Sequence, residues 1–389
     1  MTTAARGESE PAPPPIPDID LVRRIGRGGF GEVWLGVNRA TGGLKAVKIV
    51  PLARGGRTTD PAGREIGSLV QLESQRIARH PNLIDIWHVG RTADVLFALM
   101  DLADDVSGRP ATNDPAYRPA TLALRLEQGP LAADDCIRCA RQLAAGLAHL
   151  HAGGMVHRDV KPLNCLFVGR DLKLADFGLL TAASAQLSRL GTIHYMPPDG
   201  RMDLRADVYA AGLVIYEMLT GLPAEAFPRL GDRAREIAAD PRLAHLNRVA
   251  LLAANRDHHA RPAHAGALLA ALEAEPVAAT RRRLTPRATV TAAGLVTALG
   301  LIGLLFLPRP ELAPSASVAV NFITEPVEAE VMIDGKPARA ADGRPLTTPF
   351  TATVPPGRHR VAFVHPRRGR LDGGTVDFDA AREVVARWP

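Results

Sequence analysis

The chain has 389 residues, 46% of them hydrophobic and 23% charged, and a formal net charge of +6. That length suggests about two or three domains, and the apolar fraction excludes wholesale disorder. The positive charge is not gathered into a long block, so it is no nucleic-acid signature. The 3 cysteines all fall between positions 136 and 165, which excludes a disulfide-stapled secreted scaffold.

Residues 1–18 carry five prolines between positions 11 and 17 and read as a disordered, polyproline-like tail. From Leu21 the pattern turns strand-like: LVRRIG, EVWLGV and LKAVKIV, separated by Gly-rich turns, with Gly42-Gly43 as a hairpin connection. Residues 61–76 have helical spacing through Ile66, Leu69, Val70 and Glu73. Short apolar runs follow at Ile84–Val89 and Val95–Met100. Cys136, Ile137, Ala140, Leu143, Ala144, Leu147 and Leu150 then recur at three- and four-residue steps, which predicts a helix with one apolar face. Strands first and helices second give an α+β fold with two lobes.

Residues 288–307, ATVTAAGLVTALGLIGLLFL, contain no charge and no proline. As a helix they would span about 30 Å, the thickness of a bilayer core. A buried core helix is the other reading, but an all-round apolar helix of this length is hard to cover in a small domain. Arg281, Arg282, Arg283 and Arg287 precede it and only Arg309 closely follows. The positive-inside rule therefore puts residues 1–287 in the cytoplasm, 276–287 being a basic juxtamembrane segment, and residues 308–389 outside. The cysteines agree, since all lie on the reducing side. Gly294 and Ala298 form a single small-xxx-small pair of the kind that packs helix dimers. Residues 308–316 are a Pro-rich linker. Residues 317–389 are β in pattern: Val318, Val320 and Phe322 alternate, as do Val331 and Ile333, Asp334-Gly335 signals a hairpin, and TATV, HRVAFV and TVDFD follow. A small β-sandwich or barrel is expected there.

Gly26-Arg27-Gly28-Gly29-Phe30-Gly31-Glu32-Val33 is a G-x-G-x-x-G-x-V run between two strands. Glycine repeats also mark ordinary tight turns, but side-chain-free backbone can close over triphosphate oxygens. No helix follows, so this is not the dinucleotide fingerprint. Lys48 lies in an apolar strand and needs either an anion or a solvent-facing side; Glu65, in the helical segment, could pair with it. His157-Arg158-Asp159-Val160-Lys161-Pro162-Leu163-Asn164 comes next, and Asp176-Phe177-Gly178 after it.

In order, spacing and context this set resembles the eukaryotic-like protein kinases, of the bacterial single-pass membrane type, over residues 19–275. The resemblance implies a two-lobed protein kinase fold that uses ATP and Mg²⁺. It assigns Lys48 to the α- and β-phosphates with Glu65 as its partner, and Asp159 to the substrate hydroxyl. Lys161 would neutralise the transferring phosphoryl group, and its position looks like the serine/threonine type. Asn164 and Asp176 would hold Mg²⁺. Gly26, Gly28 and Gly31 would cover the phosphates. Ile25, Val33, Ala46 and Leu166 would enclose the adenine, with Met100 at the back of the pocket. Leu69, His157 and Phe177 match the hydrophobic spine between the lobes.

Gly191 to Asp199, GTIHYMPPD, resembles the end of an activation segment, with Asp199 where kinases usually carry Glu and Arg261 as its expected partner. Asp207 and Gly212 match the helix that braces the catalytic loop. Arg158 suggests regulation by a phosphorylated segment, with Thr181, Ser184, Ser188 and Thr192 as acceptors. Residues 104–120 lengthen the stretch after the lobe hinge and are expected to form an ordered loop near the pocket mouth. Only a short stretch separates Gly221 from Arg261, so the substrate-docking helices look abbreviated. Cys136 and Cys139 read as buried small hydrophobes rather than zinc ligands, and His258, His259 and His264 as surface loop residues. Residues 318–365 resemble a PEGA domain, through Pro326-Val327-Glu328-Ala329, Asp334-Gly335, Thr348-Pro349 and Pro356-Gly357.

The expected protein is thus a membrane-anchored serine/threonine kinase that also phosphorylates itself. Its expected partners are protein substrates, a second copy of itself, membrane lipid and an envelope ligand of the outer domain, with no nucleic acid. Two rival readings are a nucleotide-binding pseudokinase scaffold and a small-molecule kinase. Intact Lys48, Asp159, Asn164 and Asp176 argue against the first, and the peptide-positioning look of the 191–199 segment against the second.

Overall fold

The computed structural model describes residues 13–28, 31–52, 79–176, 193–274, 318–325, 328–339, 343, 345–379 and 383–388. The chain forms two compact units, Met1–Gly231 with His245–Ala274, and Asp232–Ala244 with Glu275–Pro389.

The first unit opens with β1 (Ile19–Gly28), β2 (Gly31–Asn38), β3 (Leu44–Pro51), β4 (Ile86–Arg91) and β5 (Val95–Met100). They make one antiparallel sheet in the order β1-β2-β3-β5-β4. The two-residue period of β3 sorts its side chains. Val47 and Ile49 pack with Ile16, Ile19, Val95 and Phe97 on one face, while Ala46 and Lys48 line a cavity on the other. The β2–β3 turn is pinned by Asn38, whose side-chain oxygen accepts from the backbone N–H of Ala40 and Thr41, with Gly42 at φ 68°. Gly31 has a steric reason: a Cβ there would come within 2.1 Å of the Ile49 carbonyl oxygen.

The helices, in chain order, are α1 (Leu122–Leu126), α2 (Ala133–Ala152), α3 (Leu204–Thr220), α4 (Ala234–Ala239), α5 (Pro241–Ala253) and α6 (Ala265–Glu273). A two-stranded hairpin, β6 (Cys165–Val168) and β7 (Asp171–Leu174), follows a 3₁₀ turn at Pro162–Asn164. Of the apolar stripe expected on α2, Cys136, Ala140, Leu143, Ala144, Leu147 and Leu150 are buried and Ile137 is half-buried; Cys139 is buried beside them. Burial raises the Cys139 thiol to about 11, as befits a thiol packed as a small hydrophobe. Helix α3 is buried almost all round, which fits its place at the centre of the helical lobe. Asp203 caps its start by accepting from Arg205 and Ala206 N–H, and Gly221 ends it in the left-handed region at φ 71°. Of the histidines expected on the surface, His259 and His264 are exposed and His258 is not. His258 is buried with Nε2 2.7 Å from Asp203 Oδ2, and His264 caps α6 by accepting from Ala267 N–H.

The second unit contains β8 (Val318–Glu325), β9 (Glu330–Ile333), β10 (Lys336–Pro337), β11 (Phe350–Val354), β12 (Arg358–His365), β13 (Gly369–Asp377) and β14 (Glu383–Arg387). Two sheets form, β10-β9-β12-β13 and β11-β8-β14. Alternating residues of both fill one core: Val320, Phe322 and Phe350 from one sheet, Val331, Val361 and Phe363 from the other. Phe322 stacks on Phe350, with ring centroids 5.4 Å apart. Asp334 and Gly335 both have positive φ, as their turn requires. Strand β14 runs parallel to β8 and had no counterpart in the alternation read from the sequence.

Residues 1–12, the 61–76 helix, the apolar 288–307 stretch with its flanks, and Pro326-Val327 lie outside the described residues. Among the described residues no helix is long and apolar enough to cross a membrane.

Candidate active site

A cavity of about 530 Å³ lies in the first unit. Ile25, Val33, Ala46, Met100 and Leu166 give it apolar walls, and Asp101, Leu102 and Ala103 also line it. Gly26 and Gly31 line it from the β1–β2 hairpin, while Gly28 pairs with Gly31 at the hairpin's end. Lys48, Asp159, Lys161, Asn164 and Asp176 converge at its polar end. The size and the apolar body with a few clustered polar groups are those of a cofactor pocket.

Strand β3 presents Lys48 there because it pairs with Val33 on one side and Ala98 on the other. Lys48 is buried, and its Nζ lies 3.2 Å from Asp176 Oδ1. Burial pushes the Asp176 carboxyl up, but Lys48, with His157 and Lys161 behind it, outweighs that and holds it below the usual carboxylate range. Asp176 has φ 63°, a left-handed conformation that aspartate tolerates better than most residues. Glu65, the other partner expected for Lys48, lies outside the described residues, as do Leu69, Phe177, Gly178 and the hydroxyls of 181–192.

Asp159 is held from three directions. Lys161 Nζ donates to its carboxylate at 2.9 Å, and Asn164 Nδ2 donates both to its Oδ2 at 2.9 Å and to its carbonyl at 2.8 Å. The backbone beneath is fixed by Asp207, which is 1% exposed. Its Oδ2 accepts from His157 N–H at 2.6 Å and its Oδ1 from Arg158 N–H at 2.7 Å. His157 Nδ1 accepts from Asp159 N–H, so Nε2 carries the ring proton and donates to the Ala175 carbonyl at 3.0 Å. The residue before Asp176 is thereby tied to the loop that carries Asp159. His151 adds a third bond to Asp207: its Nδ1 accepts from Ala265 N–H, leaving Nε2–H to face Asp207 Oδ2 at 2.9 Å. The sequence reading did not single out His151, which sits at the end of a helix whose apolar spacing already explains it. Arg158 adopts φ 67°, a strained conformation that this bonding over-determines.

Arg261 Nη2 reaches Asp199 Oδ2 at 2.6 Å, with the guanidinium fully buried and 4.8 Å from the Tyr209 ring centre. The shorter acid at 199 therefore makes the expected pair. Tyr195 O–H donates to Glu217 at 2.8 Å, and burial pushes the Glu217 carboxyl up to about 7. Glu217 was not legible as a site residue. Residues 104–120 are ordered at the pocket mouth, as expected, and Tyr117 and Arg118 line the cavity. Opposite them, Arg23 of β1 also lines it, a residue to which the sequence pointed in no way.

The family model "Protein kinase domain" matches residues 19–257. Over 227 residues the chain is 32% identical to the serine/threonine-protein kinase PknL of Mycobacterium bovis, an alignment covering 55% of this chain and 51% of PknL. It is 29% identical over 231 residues to the serine/threonine-protein kinase PrkC of Bacillus subtilis, covering 56% of this chain and 32% of PrkC. It is 31% identical over 231 residues to the serine/threonine-protein kinase PknE of Mycobacterium tuberculosis, covering 56% and 37%. The chain thus spans about half or less of the length of these curated relatives. A crystal structure of the Mycobacterium tuberculosis PknI kinase domain aligns with a TM-score of 0.47 at 21% identity, over 66% of this chain and 94% of that one. The family match takes in more than half of the chain, including the sheet and every residue that lines the cavity, and this protein belongs to the protein kinase domain family.

Proposed function

We propose that this protein is a serine/threonine protein kinase that transfers the γ-phosphoryl group of ATP to protein hydroxyls, its own included. The observation that carries the reading is the convergence of Lys48, Asp159, Lys161, Asn164 and Asp176 at the polar end of a cavity whose other walls are apolar. The serine/threonine class is supported by the names of PknL, PrkC and PknE and by Lys161 two residues after Asp159.

The donor set fits Mg²⁺. Asn164 has its Nδ2 committed to Asp159, which leaves the amide oxygen as its coordinating atom, and Asp176 adds a carboxylate; both are hard oxygen ligands. The metal, when bound, neutralises charge on the phosphates. The remaining tasks fall to the chain. The Gly26–Gly31 hairpin covers the phosphates and Lys48 pairs with them. Asp159 accepts the hydrogen bond of the incoming Ser or Thr hydroxyl and takes its proton as the new P–O bond forms and the bond to the leaving diphosphate breaks. Lys161, held on Asp159, places a positive charge where the transferring group gains negative charge.

The remainder of the proposal rests on sequence. The uncharged 288–307 stretch and the arginines before it support a single membrane span with the kinase domain, 19–275, in the cytoplasm. The all-β unit would then lie outside as a PEGA-like domain that binds an envelope ligand. Pairing of two copies through that unit would bring kinase domains together for mutual phosphorylation. The full chain, incubated with Mg²⁺ and labelled ATP beside Asp159→Asn, tests the central claim. Phosphoserine or phosphothreonine in the wild type alone is expected. Nucleotide binding without transfer would instead make the protein a pseudokinase scaffold.

A further inference from the structure

The extended segment after the hinge is fastened at both ends. Asp104 N–H donates to the Phe167 carbonyl, Phe167 N–H to Ala120, and Ala120 N–H back to Asp104. Inside the segment, the Asp105 carboxylate accepts from Ser107 and Arg118 N–H, at 2.9 and 2.8 Å. Tyr117 is 3% exposed, and its hydroxyl donates to the carbonyl of hinge residue Ala103 at 2.9 Å. The segment therefore behaves as part of the helical lobe.

One side chain crosses to it from the sheet. Arg23 Nη2 donates to the carbonyls of Tyr117 at 2.9 Å and Asp114 at 3.1 Å, and its guanidinium lies 5.5 Å from the centre of the Tyr117 ring. Arg23 belongs to β1, the strand that runs into the Gly26–Gly31 hairpin. Arg23, Tyr117 and Arg118 line the same cavity as Lys48 and Asp159. The sheet and the helical lobe are thus joined across the cavity mouth by a contact separate from the hinge.

We propose that Arg23 and Tyr117 are positioning residues of the nucleotide site: their clasp fixes the height of β1 and its glycine hairpin over the cavity, and so sets how fast nucleotide leaves. This rests on the reading of the cavity as an ATP site. A guanidinium bonded to two carbonyls and held over a ring has a defined geometry that an ammonium on a flexible stem does not. Loss of the clasp frees the hairpin to lift, which shortens nucleotide residence without moving Lys48, Asp159 or Asn164.

The test uses the full chain and its Arg23→Ala, Arg23→Lys and Tyr117→Phe variants. The dissociation rate of a fluorescent ATP analogue is read by stopped flow, beside KM for ATP and kcat. Arg23→Ala is expected to raise the dissociation rate and KM about tenfold without lowering kcat, since product release limits many enzymes of this kind. Arg23→Lys should be intermediate. Tyr117→Phe, which keeps the ring and loses only the hydroxyl bond to Ala103, should raise both about threefold. Unchanged dissociation in Arg23→Ala overturns the clasp and leaves the kinase reading intact, as does a loss of kcat with unchanged KM. If Arg23→Ala fails to fold, unchanged dissociation in Arg23→Lys and Tyr117→Phe overturns it equally. A wild type that binds no nucleotide overturns both the clasp and the kinase reading.

Discussion

Asp207 offers the sharpest test of how the loop bearing Asp159 is held. Its carboxylate is buried and accepts three hydrogen bonds, from His157 N–H, Arg158 N–H and His151 Nε2. Asp207→Asn keeps the shape but turns one oxygen into an NH₂ that must face an N–H. Losing one bond to a charged acceptor costs about 1.5–3 kcal/mol. Asp207→Ala leaves all three donors unpaired. At about 1–3 kcal/mol for each stranded donor, with partial relaxation, the loss is about 4–6 kcal/mol, a large share of the 5–15 kcal/mol that holds a typical domain. For a domain of this size about 2 kcal/mol corresponds to about 4–8 °C in Tm. Thermal unfolding of the full chain, read on the transition of the kinase domain, should therefore show that drop in Asp207→Asn and a larger one in Asp207→Ala. Activity should fall further than stability accounts for. Asp159 lies one residue beyond the two N–H groups that Asp207 holds, and a displacement of about 1 Å at a reacting group costs about 100-fold. If Asp207→Asn melts within about 1 °C of wild type and keeps its kcat, the catalytic loop is not held in this way and the account is wrong.

Three further outcomes are expected. Asp199→Ala removes the counter-charge of the fully buried Arg261 guanidinium, leaving it the Asn255 and Arg256 carbonyls, so stability should fall by about 3–5 kcal/mol, measured by urea unfolding; a loss under about 1 kcal/mol would show that water reaches Arg261. Glu217, raised by burial to about 7 from the usual 4.5, binds more protons folded than unfolded between those values. Its contribution is full below about 4.5, declines as pH rises through about 7, and then stays level; Glu217→Gln should flatten that slope in Tm against pH, and an unchanged slope would refute the assignment. In the second unit, the hydrogen bond from His359 Nδ1 to Asp334, 2.6 Å long, raises the imidazole above 6.5. That contribution is present below about 6.5 and is lost as pH rises through the raised value, and His359→Gln should remove the dependence in the Tm of the β unit.

What was legible in the sequence follows from the physics of each feature. Lys48, Asp159, Asn164 and Asp176 could be named because chemistry fixes their type and short local segments fix their spacing. Cavity walls such as Val33 and Ala46 came from the kinase resemblance, and the two-residue period of the strands agrees with them, since Val47 and Ile49 face the core and Ala46 and Lys48 the cavity. The β unit was legible from the same period, down to the Asp334-Gly335 turn. Strand β14 was not, because it pairs in parallel with a strand from the unit's other end, and no turn residues announce such a partner. His151, Glu217 and Arg23 share a different difficulty. Each is a polar residue inside an element whose periodicity is complete without it, and each acquires its role only from a partner far along the chain: Asp207, Tyr195 and Tyr117. Sequence patterning reports which face a residue occupies, whereas the bond it makes there depends on what the fold brings opposite. Asp199 could be matched to Arg261 in advance for another reason: the resemblance of residues 191–199 to a kinase activation segment pairs those two positions, and the guanidinium, fully buried, reaches the partly exposed shorter acid all the same.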